Sequence, residues 1–288
     1  MLNGNLKLAV QKKGRLTEKS LQLLKNCGID IELYSERLLI SARNFDLDIL
    51  FLRDDDIPEY VQDGVADIGI VGGNVVAEKQ SDVRILKELG FGKCTLMIAV
   101  PEHYELNNIH ELNGKTIATS YPAILQNYLS ENKINAKIIQ LSGSVEISPS
   151  LGVADCICDI VSTGTTLKMN HLKQSFSVYK SESLLISCKK IFEPEKQNLI
   201  DSLVMRIESA LNARKSKYLM MNIPKSSLNI IKEKLPALKS PTILALADES
   251  MLALHAVIPS DKFWEIQSDL KNAGASDILL LPIENIIL

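Results

Sequence analysis

The sequence predicts an α/β protein with two successive strand–loop–helix regions and a smaller C-terminal β-α-β-β-α-β domain. Two observations lead there. Short apolar runs alternate with helical periodicities as far as Lys215, after which the order changes. The chain is also too long, at 288 residues, for one ordinary core, because domains usually run about 100–200 residues.

Leu6 to Val10 reads as a strand, and Gln11-Lys12-Lys13-Gly14-Arg15 as the polar loop after it. Thr17 is expected to cap a helix carrying Leu21, Leu23 and Leu24, with Gly28 just past its end. Leu47 to Leu52 is a second strand. Asp54-Asp55-Asp56-Ile57-Pro58 opens a helix, with acids where the positive end of the helix dipole favours them. Ala66 to Val71 is a third strand, and Gly72-Gly73-Asn74 starts the next helix. The pattern then repeats. Strands are expected at Thr95–Val100, Thr116–Thr119, Lys137–Leu141 and Cys156–Val161, and helices at Pro122–Glu131 and after Gly164. Two such regions imply a cleft between them, a usual place for a ligand.

Leu184 to Cys188 is a late strand placed to return to the first region, and Pro194 to about Lys215 a long helix with Leu199, Leu203, Ile207 and Leu211 at fourfold spacing. Strands at Lys217–Ile223, Thr242–Ala247, Met251–Ile258 and Ile278–Ile283 follow. Helices start at Pro224 and Asp261, which gives the ferredoxin-like order. No catalytic constellation falls in this last part, leaving regulation, assembly or structural support as its role.

A net charge of −3, spread evenly, argues against a nucleic-acid-binding or membrane-facing surface. The N-terminus lacks a signal-peptide pattern, and no apolar run approaches the roughly 20 residues that span a bilayer. An odd number of cysteines, five, does not suit a disulfide framework. Cys156 and Cys158 read as strand positions rather than metal ligands. A cytoplasmic protein with reduced thiols is expected.

The most informative segment is Ala154 to Leu167, ADCICDIVSTGTTL. An apolar strand ends in Ser162-Thr163-Gly164-Thr165-Thr166, where a helix begins. Such a turn gathers backbone N–H groups, a helix dipole and hydroxyls, and Gly164 lets an anion approach closely, which suits a phosphate. It contains no lysine, so it is not a Walker A loop. Asp155 and Asp159, four apart, fall on one face of an ideal strand and could accept hydrogen bonds from ribose hydroxyls. The competing reading is a Ser/Thr helix cap with solvent-facing acids.

This segment resembles the phosphoribosyl pyrophosphate loop of phosphoribosyltransferases, without the paired adjacent acids of the type I enzymes. It is closer to that of the ATP phosphoribosyltransferase family, long form. QKKGRL, LRDDDIP, DGVADIGIVG, ATSYP, GSVEISP, SKYLMMNIP, SPTILALA and LPIE extend the resemblance, in order, over nearly the whole chain. His171 departs from it, since relatives often have glycine after the phosphate helix.

The resemblance implies the first reaction of histidine biosynthesis. N1 of ATP displaces pyrophosphate from phosphoribosyl pyrophosphate, with inversion and with Mg2+ on the leaving group. It implies a phosphoribosyl pyrophosphate site of Asp155, Asp159, Ser162, Thr163, Gly164, Thr165 and Thr166. Lys12, Arg15 and Arg53 would neutralise polyphosphate. Tyr121 either stacks on adenine or is a buried aromatic. Glu146 lies near ribose or Mg2+, or is a helix-cap acid. Aromatic N1 has no proton to lose, so no general base is required. The implied fold is two type II periplasmic-binding-protein-like lobes, 1–92 with 181–214 and 93–180, plus an ACT-like domain, 215–288. That domain would bind inhibitory histidine near Leu238, Ser240, Thr242 and Asp277. Dimers assembling into hexamers are implied, without the synthetase-like partner of short-form relatives. The alternative is a non-catalytic two-lobed solute-binding or ligand-sensing protein.

Overall fold

The computed structural model describes residues 4–32, 37–161 and 164–287. Ser162 and Thr163 therefore lie outside the described residues. By compactness the chain divides into one unit of residues 1–22 and 30–199, and a second of 23–29 and 200–288.

In chain order the first part runs β1 (Leu6–Gln11), α1 (Thr17–Asn26), β2 (Leu39–Ser41), β3 (Leu47–Leu52), α2 (Ile57–Gln62), β4 (Ile68–Gly72), α3 (Gly73–Lys79) and β5 (Arg84–Glu88). Then come β6 (Cys94–Pro101), β7 (Thr116–Thr119), α4 (Pro122–Glu131), β8 (Lys137–Gln140), β9 (Cys156–Val161), α5 (Thr165–Met169), β10 (Leu172–Ser181), β11 (Ser183–Ser187) and α6 (Pro194–Arg214). Thr17 does not cap α1: it is the first helical residue, and its buried Oγ1 has no partner among the described residues. Gly28 does close the helix, its N–H bonding Lys25 O while Ile29 N bonds Leu24 O.

The first unit holds two sheets. One has the order β2-β3-β1-β4-β11-β5, the other β10-β6-β9-β7-β8. Apart from the short edge strand β2, both lobes share one plan. The first three strands of each stand second, first, third (β3-β1-β4 and β8-β7-β9). A strand coming from the other lobe, β11 or β6, then separates the third from the last. These inserted strands run antiparallel to both neighbours, while β1, β3, β4 and β7, β8, β9 pair in parallel. This is the plan of a type II periplasmic-binding-protein fold. It aims the carboxyl ends of the parallel strands of both lobes at one cleft. β1 and β4 are buried nearly throughout, as parallel strands must be.

The second unit contains β12 (Ser216–Pro224), α7 (Leu228–Lys234), β13 (Thr242–Ala245), β14 (Met251–Pro259), α8 (Phe263–Asn272) and β15 (Ser276–Pro282). The sheet is antiparallel, in the order β13-β14-β12-β15. Leu219, Met221, Ile223, Leu254 and Ile258 on one face pack with Ile231 of α7 and Phe263 and Leu270 of α8. The ferredoxin-like order thus stands. From Ile200 onward α6, assigned with the first lobe from the sequence, is compact with this unit instead. Among the described residues no helix is long and apolar enough to cross a membrane.

Candidate active site

The cleft of the first unit has a volume of about 440 Å³. Gln11, Arg15, Asp54, Asn74 and Lys93 reach it from the first lobe and the crossing, Tyr121 and Ile160 from the second. Arg15 is exposed on the loop after β1. Tyr121 is set by β7: its N–H donates to Thr119 Oγ1 at 2.9 Å, and Thr119 is fully buried. The ring packs against the second-lobe core and also lines the cleft. Its hydroxyl pKa is pushed up to about 12, chiefly by burial and then by the carboxylate of Asp159; Arg15 pulls the other way.

Asp159 lies near the end of β9, its Oδ1 accepting from Ile160 N–H at 2.7 Å. Burial raises its pKa; the bond from Ile160 opposes that rise, Glu146 adds to it, and Arg15 opposes it again. Glu146 stands in a 3-10 turn, Val145–Ile147, anchored by fully buried Val145. The preceding Ser144 has a left-handed φ of 51°, uncommon for a residue with a side chain. The charges of Arg15 and Glu146 thus both act on Asp159, and those of Asp159 and Arg15 on Tyr121.

β9 ends at the same edge, since Val161 pairs with Thr95 and Cys94 lines the cleft. Gly164 is the N-cap of α5, with φ 72° and no side-chain cap. Its positive φ favours glycine, and a Cβ there would stand 2.8 Å from the flexible tip of Gln174, which would have to shift. Thr165 and Thr166 occupy the exposed first turn, held down by buried Leu167.

Other expected residues stand elsewhere. Lys12 and Arg53 emerge side by side, because β1 and β3 are in register and Lys12 N–H donates to Leu52 O at 2.7 Å. Both are exposed at the rim rather than lining the cleft. Asp155 leaves the ribose assignment. It precedes β9, and four strand residues put it about 13 Å from Asp159, at the far end of the sheet. There its Oδ2 accepts from Thr116 N–H at 2.7 Å, tying β9 to β7. Gln11, Asp54, Asn74 and Lys93 were missed. Gln11 and Asp54 lay within the quoted QKKGRL and LRDDDIP segments, and Lys93 was a cation in the Gly90–Cys94 connection between the lobes.

The expected effector residues divide as well. Thr242 is exposed on edge strand β13, and Leu238 and Ser240 on the loop before it. Asp277, with φ 49°, accepts from Asn222 Nδ2 at 2.9 Å on the opposite edge strand. Three strand spacings, about 14 Å, separate the two edges. One chain does not bring Thr242 and Asp277 to one small ligand.

Residues 53–209 match the family HisG, ATP phosphoribosyltransferase, and residues 213–285 match HisG, C-terminal domain. The chain belongs to the ATP phosphoribosyltransferase family. An ATP phosphoribosyltransferase of Cytophaga hutchinsonii is 50% identical over 282 residues, which cover 98% of each chain. One of Bacteroides thetaiotaomicron is 48% identical, over 98% of this chain and 99% of its own. Among solved structures, the ATP phosphoribosyl transferase (HisG:HisZ) complex of Thermotoga maritima contains a chain with 30% identity and a TM-score of 0.59. The match covers 70% of this chain and 98% of that one. Enzyme relatives that match end to end disfavour the non-catalytic binding alternative.

Proposed function

We propose that the chain transfers the phosphoribosyl group of phosphoribosyl pyrophosphate to N1 of ATP, releasing pyrophosphate, as the first step of histidine biosynthesis. The observation that carries this is a cleft, in a chain of this family, lined by Arg15 and Tyr121, with Asp159 beside its lining residue Ile160 at the end of β9 and the Gly164 cap of α5 just beyond that strand. The turn anchors the 5-phosphate through Gly164, Thr165 and Thr166, with Ser162 and Thr163 beside them. Arg15 neutralises polyphosphate inside the cleft, and Lys12 and Arg53 do so at its rim. Tyr121 presents a ring face to adenine. As pyrophosphate departs, the anomeric carbon becomes cationic, and Asp159 and Glu146 supply the negative charge that favours this state. Holding both substrates in line supplies much of the remaining rate.

Mg2+ is the expected cofactor, and when bound it neutralises the leaving pyrophosphate. The chain fits it, since Mg2+ is commonly held by one or two carboxylates together with substrate phosphates. Asp159 and Glu146 are two oxygen donors whose mutual repulsion a cation would relieve.

The C-terminal domain is the regulatory one in this reading. Histidine would bind between copies of the chain, using Leu238, Ser240 and Thr242 of one and Asp277 of another. In the same reading the copies assemble as dimers into hexamers in the cytoplasm. With its own regulatory domain, the chain is expected to act without a separate regulatory subunit.

Pyrophosphate release by the full chain with ATP, phosphoribosyl pyrophosphate and Mg2+ tests the reaction. Release that needs both substrates is expected. Binding of both without release would reduce the protein to a sensor.

A further inference from the structure

Helix α4, in the second lobe, begins without help from its own N-cap. Tyr121 holds that position with φ −126° and ψ 62°, and makes no side-chain cap bond. Pro122 follows and has no N–H. The next two N–H groups, of Ala123 and Ile124, point instead to the two carboxylate oxygens of Glu78, each at 3.0 Å. Glu78 belongs to α3, which follows β4 of the first lobe. A residue of one lobe therefore caps a helix of the other, with both oxygens engaged at the positive end of the α4 dipole.

The same short helix is tied to the second lobe at its other end and along its side. Asn74 N–H donates to Ser181 Oγ at 2.8 Å, and that hydroxyl lies 3.1 Å from Asn74 Oδ1. Ser181 ends β10. Between these points Ala77 packs against the second-lobe core. α3 is thus a strut across the cleft, and its Glu78 end meets the chain two residues after Tyr121.

Resting on the reading of the cleft as the nucleotide site, we infer that Glu78 is a positioning residue: by capping α4 from the opposite lobe it fixes Tyr121 against Arg15 and sets the spacing of the two lobes around ATP. The carboxylate suits this task better than an amide. Its two oxygens accept from two N–H groups at once, whereas Gln offers one oxygen and turns an N–H2 donor toward the second. Charge also favours it, since hydrogen bonds to an ionised acceptor are roughly twice as strong as neutral ones.

The test is a double-mutant cycle of Glu78→Gln with Tyr121→Ala in the full chain, read as KM for ATP, kcat and melting temperature. Glu78→Gln is expected to raise KM for ATP about tenfold, the scale of one lost hydrogen bond to a charged group. It should change kcat by less than about threefold, and it should have little further effect once Tyr121 is gone, because the two act as a unit. Glu78→Asp, which keeps the charge, should recover part of the loss. Effects that multiply in the double variant, or a fall in melting temperature with unchanged KM, overturn the inference. Hydrogen exchange at residues 121–126 provides a readout independent of turnover. Glu78→Gln should speed exchange there while the middle of β7 stays protected, and unchanged exchange also overturns the proposal. If the wild-type chain released no pyrophosphate, the reaction would be wrong, and the exchange experiment would still decide the role of Glu78.

Discussion

The ammonium of Lys196 lies 3.0 Å from both carboxylate oxygens of Asp67. Asp67 is buried at the start of β4, and its Oδ2 also accepts from Lys7 N–H at 2.8 Å. The pair fastens the first turn of α6 to the middle of the first sheet. Removing one partner of a buried pair costs about 3–5 kcal/mol, because the other charge is left stranded. Lys196 keeps 27% exposure, so the low end applies. Lys196→Met is expected to cost about 3 kcal/mol in denaturant unfolding, whereas Lys196→Arg should retain most of the stability. Equal stability of Lys196→Met and wild type would show the pair to be idle.

His171, just past the Asn170 C-cap of α5, has φ 55°, a left-handed conformation that costs a residue with a side chain about 1–2 kcal/mol. This explains why glycine suits the position. The contact of His171 with Glu102, at 3.9 Å, is largely exposed and contributes little. His171→Gly should therefore raise stability by about 1 kcal/mol with activity preserved, measurable as a higher melting temperature. A lower one would mean that the histidine side chain contributes more than its backbone costs.

Asp159 is expected to trade stability for function. Its folded pKa is raised, chiefly by burial, so in the acid range the folded state holds its proton more tightly than the unfolded state. Stability therefore falls as pH rises from the ordinary carboxylate value through the raised one, and the penalty persists above it. Asp159→Asn should melt higher than wild type at pH 7, with the gain shrinking as the pH drops below the ordinary value. Activity should fall in the same variant. A lower melting temperature at pH 7 would contradict the burial argument.

Asp155 and Arg15 should behave oppositely. Asp155→Ala removes the acceptor of Thr116 N–H, so it should lower stability by about 1–2 kcal/mol and leave the KM for phosphoribosyl pyrophosphate unchanged. Arg15→Ala, at an exposed side chain, should change stability by no more than about 0.5 kcal/mol while raising substrate requirements. Thermal melts and steady-state kinetics on the two variants separate the roles.

The distance between the two edges of the C-terminal sheet makes histidine inhibition testable by complementation. Thr242→Ala and Asp277→Ala should each weaken inhibition while sparing activity without histidine. When the two variants are co-assembled, some sites receive an intact Thr242 from one chain and an intact Asp277 from the other. Recovered inhibition is expected in the mixture. Its absence would place any effector pocket within a single chain. Point variants are preferable to cutting before Lys217, because Leu203, Ile207 and Ala210 of α6 are buried in the unit that the cut would dismantle.

Some apolar strands were legible to the residue, although the buried strands β1, β4 and β11 were each displaced by one or two residues at an end. Leu47–Leu52, Thr116–Thr119 and Cys156–Val161 all have the bounds their apolar runs indicate, as does helix Pro122–Glu131. The strands β2, β5 and β10 were not. They are short or lie at edges, and β10 mixes polar residues with two register shifts, so no clean alternation marks it. The start of a helix just after Gly164 was legible because its cue, a glycine at the end of an apolar strand, is local. The role of Asp155 was not, because it depends on which backbone amide β7 places beside it. Likewise the split between Thr242 and Asp277 follows from strand order, which periodicity does not encode.

The interchange of strands between the lobes also governs how the chain is made. On the ribosome the first sheet cannot close when residue 88 emerges. Among the described residues β5 pairs only with β11, so its partner arrives about a hundred residues later, after the whole second lobe. Until then one side of β4 offers an unpaired edge of apolar residues, the kind of surface that attracts chaperones or other nascent chains. Synthesis of this protein therefore includes an interval of exposure whose length is the translation time from β5 to β11. Slowing translation within the second lobe should lower the yield of folded protein, although no residue is changed.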